Sequence, residues 1–579
     1  VAAGDDTMDA SSGICADIVT ITGGTVNATG GAVTSSGDNA RSCGIYGSSL
    51  YGGVIISGGA VTATGGTFNS TGTDTEADAG SYGIYTPNSG IEISGGTVTA
   101  TGDTGALGGD VYLDPEGNAS IQSIQVKTGQ DADKVTEIIG SPFVLPEDIT
   151  DLVSGAQYFH SESQTLEGNI FVGGIGLTGT TDNPAYAKTG ADGAVATEGA
   201  NANDYNIKWD GSTLTLNNAT ITQGALGGAA IWYYRDSDLN IALVGTNTVT
   251  GPSGSRSGAS YGIFAWGPNE LIDLTISGDG SLTVTGGGTV SESYGICTDN
   301  LIVQSGTVNA TGGDSEEDNY GIYAYNNVTI TNGDVTATSG DSGDYSCGIY
   351  ADYGNIDVSG GTVIAQGGDS VDNSDGICVS KNGITISGGE VTTTGGDTEG
   401  RSCGIDADRI TINGGVFTAT GRTGTEGSYG IYTDALTITG GTITATGNIS
   451  GVYGSSEDCK VTIAPQTDQQ IAVLLGESET AAAAIVGSPF ASKTEITSQV
   501  NNSGKYFHSE VVGITPPEPE EFTITFDAAG GTTPASQTTV DGKLTSLPTS
   551  TRDGYDFLGW YTAGGDWVTT DTVFTADTT

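Results

Sequence analysis

The stretch Gly348-Ile349-Tyr350-Ala351-Asp352-Tyr353-Gly354-Asn355-Ile356-Asp357-Val358-Ser359-Gly360-Gly361-Thr362-Val363-Ile364-Ala365-Gln366-Gly367-Gly368 decides how the chain folds. Ile349 and Ala351 flank Tyr350, Ile356 and Val358 flank Asp357, and Val363 and Ala365 flank Ile364. Apolar residues at alternate positions mark a strand with one buried face, so this segment predicts three short strands. Between the second and third stands Gly360-Gly361, a pair that permits a left-handed corner where a β-carbon would be resisted.

The pattern repeats. The glycine of Gly-Ile-Tyr, or of a near variant, recurs at 295, 321, 348, 376, 404 and 430, a spacing of 26 to 28 residues. Earlier copies start at Gly13, Gly44, Gly83 and Gly262, and Gly451-Val452-Tyr453 is a degenerate one. The second strand returns as Val328-Thr329-Ile330, Ile384-Thr385-Ile386, Ile410-Thr411-Ile412 and Leu436-Thr437-Ile438. A period of this length with three strands and three corners predicts an all-β chain built as parallel β-helices, like side chains stacking on like at about 4.8 Å per coil.

A second, longer repeat sets the layout. Ile139-Gly140-Ser141-Pro142-Phe143 and Tyr158-Phe159-His160-Ser161 reappear as Val486-Gly487-Ser488-Pro489-Phe490 and Tyr506-Phe507-His508-Ser509. Each copy follows a run of coils and reads as a cap. Residues 1–165 are therefore expected to be the C-terminal part of a first β-helix with its cap. Residues 166–512 form a complete second one, with a lead-in over 166–225, coils over 226–460 and a cap over 461–512. A stiff Pro/Glu linker spans 513–521, and 522–579 form a separate small domain. The first solenoid has no lead-in, so the chain is expected to begin inside that module.

Composition narrows the function. Glycine contributes 96 of 579 residues and proline only 14, which fits many tight turns and excludes collagen. The net charge of −53 excludes binding of nucleic acid by phosphate neutralisation. No run of eighteen or more apolar residues is present, so no membrane-spanning helix is expected in this chain. The seven cysteines are odd in number and contain no CxxC pair, which argues against a disulfide framework and a zinc site.

Two resemblances add to this. Phe522-Thr523-Ile524-Thr525-Phe526-Asp527, Gly530-Gly531 and Thr551-Arg552-Asp553-Gly554-Tyr555-Asp556-Phe557-Leu558-Gly559-Trp560-Tyr561 resemble the internalin-type B repeat, or Listeria–Bacteroides repeat. That resemblance implies a small β-grasp domain, here incomplete at its C-terminus. Coils such as Gly383-Ile384-Thr385-Ile386-Ser387-Gly388-Gly389-Glu390-Val391-Thr392 are similar to those of bacterial carbohydrate-binding β-helix proteins. That family has a pectate-lyase-like solenoid and is associated with calcium and acidic polysaccharides. Both resemblances imply an extracellular protein of Gram-positive bacteria, secreted or attached to the cell wall.

Two constellations are candidates for binding. Asp314, Asp341, Asp369 and Asp397 fall at the same turn of four successive coils. Hard oxygen ligands stacked in this way are placed to coordinate Ca²⁺. Carboxylates about 5 Å apart repel by roughly 0.8 kcal/mol in water and about 3 at an effective dielectric of 20, so a cation would help without being obligatory. The alternative is an Asx turn in which each aspartate caps its own backbone. Tyr46, Tyr85, Tyr323, Tyr350 and Tyr432 follow Gly-Ile and are expected to point outward as an aromatic stripe for sugar rings, or to stack on one another as stiffening rungs. Cys297 and Cys378 replace this tyrosine, while Cys43, Cys347 and Cys403 replace the one preceding the glycine; free, packed thiols are expected.

His160 and His508 occupy equivalent cap positions, and no nucleophile elbow or P-loop appears. The expected function is that of a non-enzymatic surface adhesin binding a polysaccharide or a glycan of a host or neighbouring cell, with calcium assisting. The alternatives are a structural stalk or filament that contacts other copies of itself, and a polysaccharide lyase near Arg401, Arg409 and Arg422.

Overall fold

A computed structural model describes residues 2–3, 10–35, 40–49, 53–70, 79–115, 122–138, 141–143, 147–165, 168–253, 258–289, 291–454, 459–500, 504–512, 521–540 and 542–579. The linker expected over 513–521 lies outside the described residues, apart from Glu521, as does Val1.

The strands of the quoted coil are Ser346–Ala351, Ile356–Val358 and Thr362–Gln366. Each lies parallel on its counterpart in the next coil. Ile322, Ile349, Ile377, Ile405 and Ile431 form one column, and Val335, Val363, Val391, Phe417 and Ile443 another. All of them are buried in one continuous core. First and second strands share a 22-stranded sheet, and the third strands build a 12-stranded one. A single coil leaves both edges of its core open, so burial and hydrogen bonding are completed only by stacking. The second glycine of each corner pair is left-handed, with φ +75° at Gly361 and +79° at Gly389.

The glycine of Gly-Ile-Tyr is required for a different reason. A β-carbon on Gly348 would lie 2.5 Å from the Gln366 nitrogen and 2.7 Å from the Gly376 carbonyl oxygen, with backbone on both sides. The alternation also breaks at these glycines. Tyr320 and Ile322 would share a face in a regular strand, yet Ile322 enters the main core while Tyr320 joins a separate outer layer.

Two residues before these glycines runs a buried polar column: Ser260, Ser293, Asn319, Ser346, Ser374, Ser402 and Ser428. The Ser374 hydroxyl donates to the Gly368 carbonyl at 2.7 Å and accepts the Gly396 N–H of the next coil at 2.7 Å. Ser42 does the same in the first solenoid, donating to Gly31 O and accepting Gly66 N–H, both at 2.7 Å. One hydroxyl thus satisfies two backbone groups at a turn that the strand ladders do not reach.

The ends are antiparallel. Tyr158–Thr165 pairs with Ile91–Thr101 of the last coil before it and with Gln122–Gly129. Tyr506–Val512 pairs likewise with Thr442–Thr446 and Gln470–Gly476. Phe159 and Phe507 are fully buried under these strands. His160 Nδ1 sits 3.0 Å from Thr99 Oγ1, and His508 Nδ1 3.1 Å from Thr444 Oγ1. At the other end of the second solenoid, antiparallel strands between Ile170 and Asn217 enclose Trp209, and parallel stacking begins with Thr213–Asn217 on Leu239–Val244. Residues 522–579 have their own core of Ile524, Phe526, Leu544, Trp560, Val568 and Phe574.

Candidate functional site

Three rows of side chains share the flank formed by the first strands and the turns leading into them. The outermost is the aspartate ladder. Asp314, Asp341, Asp369 and Asp397 are exposed. Their carboxylates reach between coils rather than back onto their own turns. Asp314 Oδ1 accepts the Asp341 N–H at 3.2 Å, Asp341 the Asp369 N–H at 3.1 Å, and Asp369 the Asp397 N–H at 3.0 Å. Asp397 ends the row on the Thr423 N–H at 2.9 Å, a bond that holds its carboxyl below the usual range. The next residue completes the ladder, since Ser315 N–H donates to Asp341 O at 3.0 Å and Ser342 N–H to Asp369 O at 2.9 Å. Each aspartate therefore substitutes a side-chain oxygen for a backbone carbonyl, and an own-coil Asx turn is not what the Oδ1 atoms make.

This geometry separates charge from hydrogen bonding. Asp341→Asn keeps the acceptor and removes a repelling charge, so its melting temperature is expected to match or exceed that of the parent at low salt. Asp341→Ala loses the acceptor and is expected to cost about 1 kcal/mol. Thermal unfolding of both variants checks this, and equal losses would refute the clamp.

The second row is aromatic. Tyr46 stacks on Tyr85 at 6.2 Å with an interplanar angle of 5°, Tyr323 on Tyr350 at 5.4 Å and 16°, and Tyr432 on Tyr453 at 5.6 Å and 15°. Tyr85 is buried, with 4% of its surface exposed, and the other four are partly buried. The rings point away from the main core but pack with the tyrosines preceding the glycine, as in Tyr320 against Tyr323 and Tyr350. Stacking along the solenoid axis covers ring faces, and the Tyr350 hydroxyl meets Ser380 Oγ. Outside the ladder, the half-buried Asp318 accepts the Tyr320 hydroxyl at 2.8 Å.

The third feature joins two cysteines that the sequence marks as tyrosine replacements, Cys378 and Cys403, to two aspartates that the sequence reading missed. In the coils of Gly376 and Gly404 the aromatic columns are interrupted by Asp375, Cys378, Cys403 and Asp406, paired Asp375 with Cys403 and Cys378 with Asp406. Asp375 is buried and takes a hydrogen bond from the Tyr345 hydroxyl at 2.7 Å. Arg401 donates to Asp406 at 3.1 Å and lies 4.2 Å above the Tyr432 ring. Burial, with the neighbouring Asp406 charge, pushes the Asp375 carboxyl up, and burial pushes Asp406 up against the pull of Arg401. Burial also raises the Cys403 thiol. A column-by-column reading of the repeat would have exposed these residues, since acids stand where other coils carry tyrosine. All seven cysteines are free thiols.

Comparison with known families agrees with this architecture. Residues 522–579 match the Listeria-Bacteroides repeat domain, and residues 19–44, 91–110, 328–349, 384–407 and 436–455 match the beta helix repeat. Comparison with curated proteins and with solved structures finds no match. The chain is a repeat protein of the β-helix class, with a Listeria–Bacteroides repeat at its C-terminal side. Both modules are typical of extracellular or surface proteins, and among the described residues no helix is long and apolar enough to cross a membrane.

Proposed function

We propose that this chain is a non-enzymatic extracellular module that binds a linear acidic polysaccharide, of a host or neighbouring cell, along the flank of its second solenoid with calcium bridging the acids. The observation that carries this reading is the periodicity of the flank. Exposed carboxylates repeat once per coil from Asp314 to Asp397, on the turns that lead into the strands carrying the half-buried tyrosines. A periodic surface suits a periodic ligand, because each added repeat contributes the same weak contact. Recognition runs through carboxylates, cation and hydroxyls, since the tyrosine ring faces are largely taken by one another. In this reading both histidines serve the caps, meeting Thr99 and Thr444 of the last coils, and Arg401 is held by Asp406 and Tyr432.

The test is binding of the whole chain to an array of acidic and neutral polysaccharides, with Ca²⁺ and then with chelator. Binding to acidic glycans that disappears with chelator, and falls by about tenfold or more in Asp341→Asn/Asp369→Asn, is the expected result. No binding to any glycan overturns the reading. A stalk or filament is the second reading, favoured by the tandem arrangement of capped solenoids. Electron microscopy of native surface material decides it, and isolated monomers there would exclude a filament.

A further inference from the structure

Among the described residues, Asp375, Cys403 and Asp406 are the one group of three potential metal ligands whose ligand atoms lie within 4.8 Å of one another. They come from neighbouring first strands and replace tyrosines: Asp375 and Cys403 in the column of Tyr320 and Tyr429, Asp406 in the column of Tyr350 and Tyr432. Both columns lack rings over two successive coils, and Cys347 extends the break to a third coil in the column of Tyr320 and Tyr429. The aromatic layer resumes on either side, with Tyr350 before and Tyr429 and Tyr432 after.

A packing role alone leaves one atom unexplained. Asp375 is 1% exposed, its Oδ2 accepts the Tyr345 hydroxyl, and its Oδ1 has no hydrogen-bond partner. A buried carboxylate oxygen without a partner costs roughly 1–3 kcal/mol or more, so it calls for an ion or a proton. The surroundings follow a familiar pattern for metal ligands. One oxygen of each carboxylate is anchored by an outer donor, Tyr345 for Asp375 and Arg401 for Asp406, which orients the ligand. Charge is consistent with this: once a metal displaces the thiol proton, two carboxylates and a thiolate against one guanidinium leave two negative charges, which a divalent cation cancels.

We propose that Asp375, Cys403 and Asp406 bind a single divalent transition-metal ion of the Zn²⁺ kind. Three atoms within 4.8 Å of one another leave a point no more than about 2.8 Å from all three, so small side-chain rotations reach Zn–S and Zn–O distances near 2.3 and 2.0–2.2 Å. A thiolate beside two carboxylates selects a borderline-soft ion over Ca²⁺ or Mg²⁺. The Asp406 side chain, 22% exposed, provides the way in and leaves the fourth coordination position on the solvent side. This site is distinct from the exposed aspartate ladder and does not depend on the polysaccharide reading.

The full chain, reduced and stripped with chelator, is titrated with Co²⁺. One equivalent is expected to give a thiolate-to-cobalt charge-transfer band that Zn²⁺ abolishes by displacement and Ca²⁺ does not. Cys403→Ser removes that band. Asp375→Asn and Asp406→Asn weaken binding at least about a hundredfold, and Tyr345→Phe about tenfold through the lost anchor. Asp334→Asn, at an exposed third-strand position that belongs to neither site, leaves the titration unchanged. Should Cys403→Ser fail to fold, Asp406→Asn, on the solvent side, gives the same reading. No thiolate band at one equivalent, or a band that either Cys403→Ser or Asp406→Asn leaves unchanged, overturns the proposal.

Discussion

Gly404→Ala is expected to disrupt the second solenoid in its middle. The new methyl would stand 2.5 Å from the Thr420 nitrogen and 2.6 Å from the Gly430 carbonyl oxygen. Both are backbone atoms of the stack, so no side chain can swing away to relieve the clash. Spreading two coils apart breaks parallel hydrogen bonds and opens the aliphatic column that includes Ile377, Ile405 and Ile431. The expected loss is about 3 kcal/mol or more, at the upper end of overpacking costs, because relief requires backbone movement. Gly23→Ala is the matched control: nothing lies within 4 Å of its β-carbon, and its φ is outside the left-handed region. That change is expected to be neutral or slightly stabilising through the unfolded chain. Urea unfolding, with hydrogen exchange to localise the effect, compares the two. Equal behaviour would mean that the repeated glycine is not held by the close approach of coils.

Ser374→Ala is expected to have the next largest effect. The change removes a single oxygen, yet leaves the Gly368 carbonyl and the Gly396 N–H without their partner in a buried turn. An unsatisfied buried backbone group costs about 1–3 kcal/mol, so two together should cost roughly 3 kcal/mol when some relaxation is allowed. Ser374→Thr retains the hydroxyl but adds a methyl where the Gly367 and Gly396 backbones already approach closely. It too is expected to destabilise, by overpacking rather than by loss of a bond. The nearby Ser370→Ala, on a half-buried hydroxyl that meets Thr398 at 3.2 Å, should cost less than about 1 kcal/mol. If Ser374→Ala and Ser370→Ala prove equally mild in chemical denaturation, the buried serine column does not stabilise the stack.

The two substitutions bear on the candidate sites as well. Both the aspartate ladder and the acid–thiol cluster depend on coils meeting in register, and each ladder bond crosses from one coil to the next. Slippage by one residue would turn every inward isoleucine outward, so the aliphatic columns also align the carboxylates. Stability of the stack and definition of the flank are therefore one property.

The repeat made the coils readable before any coordinates. Alternation at Ile356-Asp357-Val358 and the glycine pair at 360–361 are local signals, and local sterics decide them without reference to the rest of the chain. The cores of both solenoids and the parallel pairing follow from such signals repeated, whereas the small domain over 522–579 is marked by the end of the repeat and by its resemblance to the Listeria–Bacteroides repeat. Tertiary structure alone decided what the polar and aromatic positions do. Whether Asp341 caps its own turn or the next coil depends on how turns stack, because the two acceptor positions differ by one coil height and not by any change of sequence. The tyrosines became a packed layer because the residue before each glycine and the residue after the isoleucine both lie outside the main core, as Tyr320 does with Tyr323 and Tyr350. Asp375 and Asp406 are 31 residues apart, and nothing in their immediate neighbours links them. Proximity across coils is a property of the helical path, and it is that path which sets a buried carboxylate, a thiol and a second carboxylate side by side.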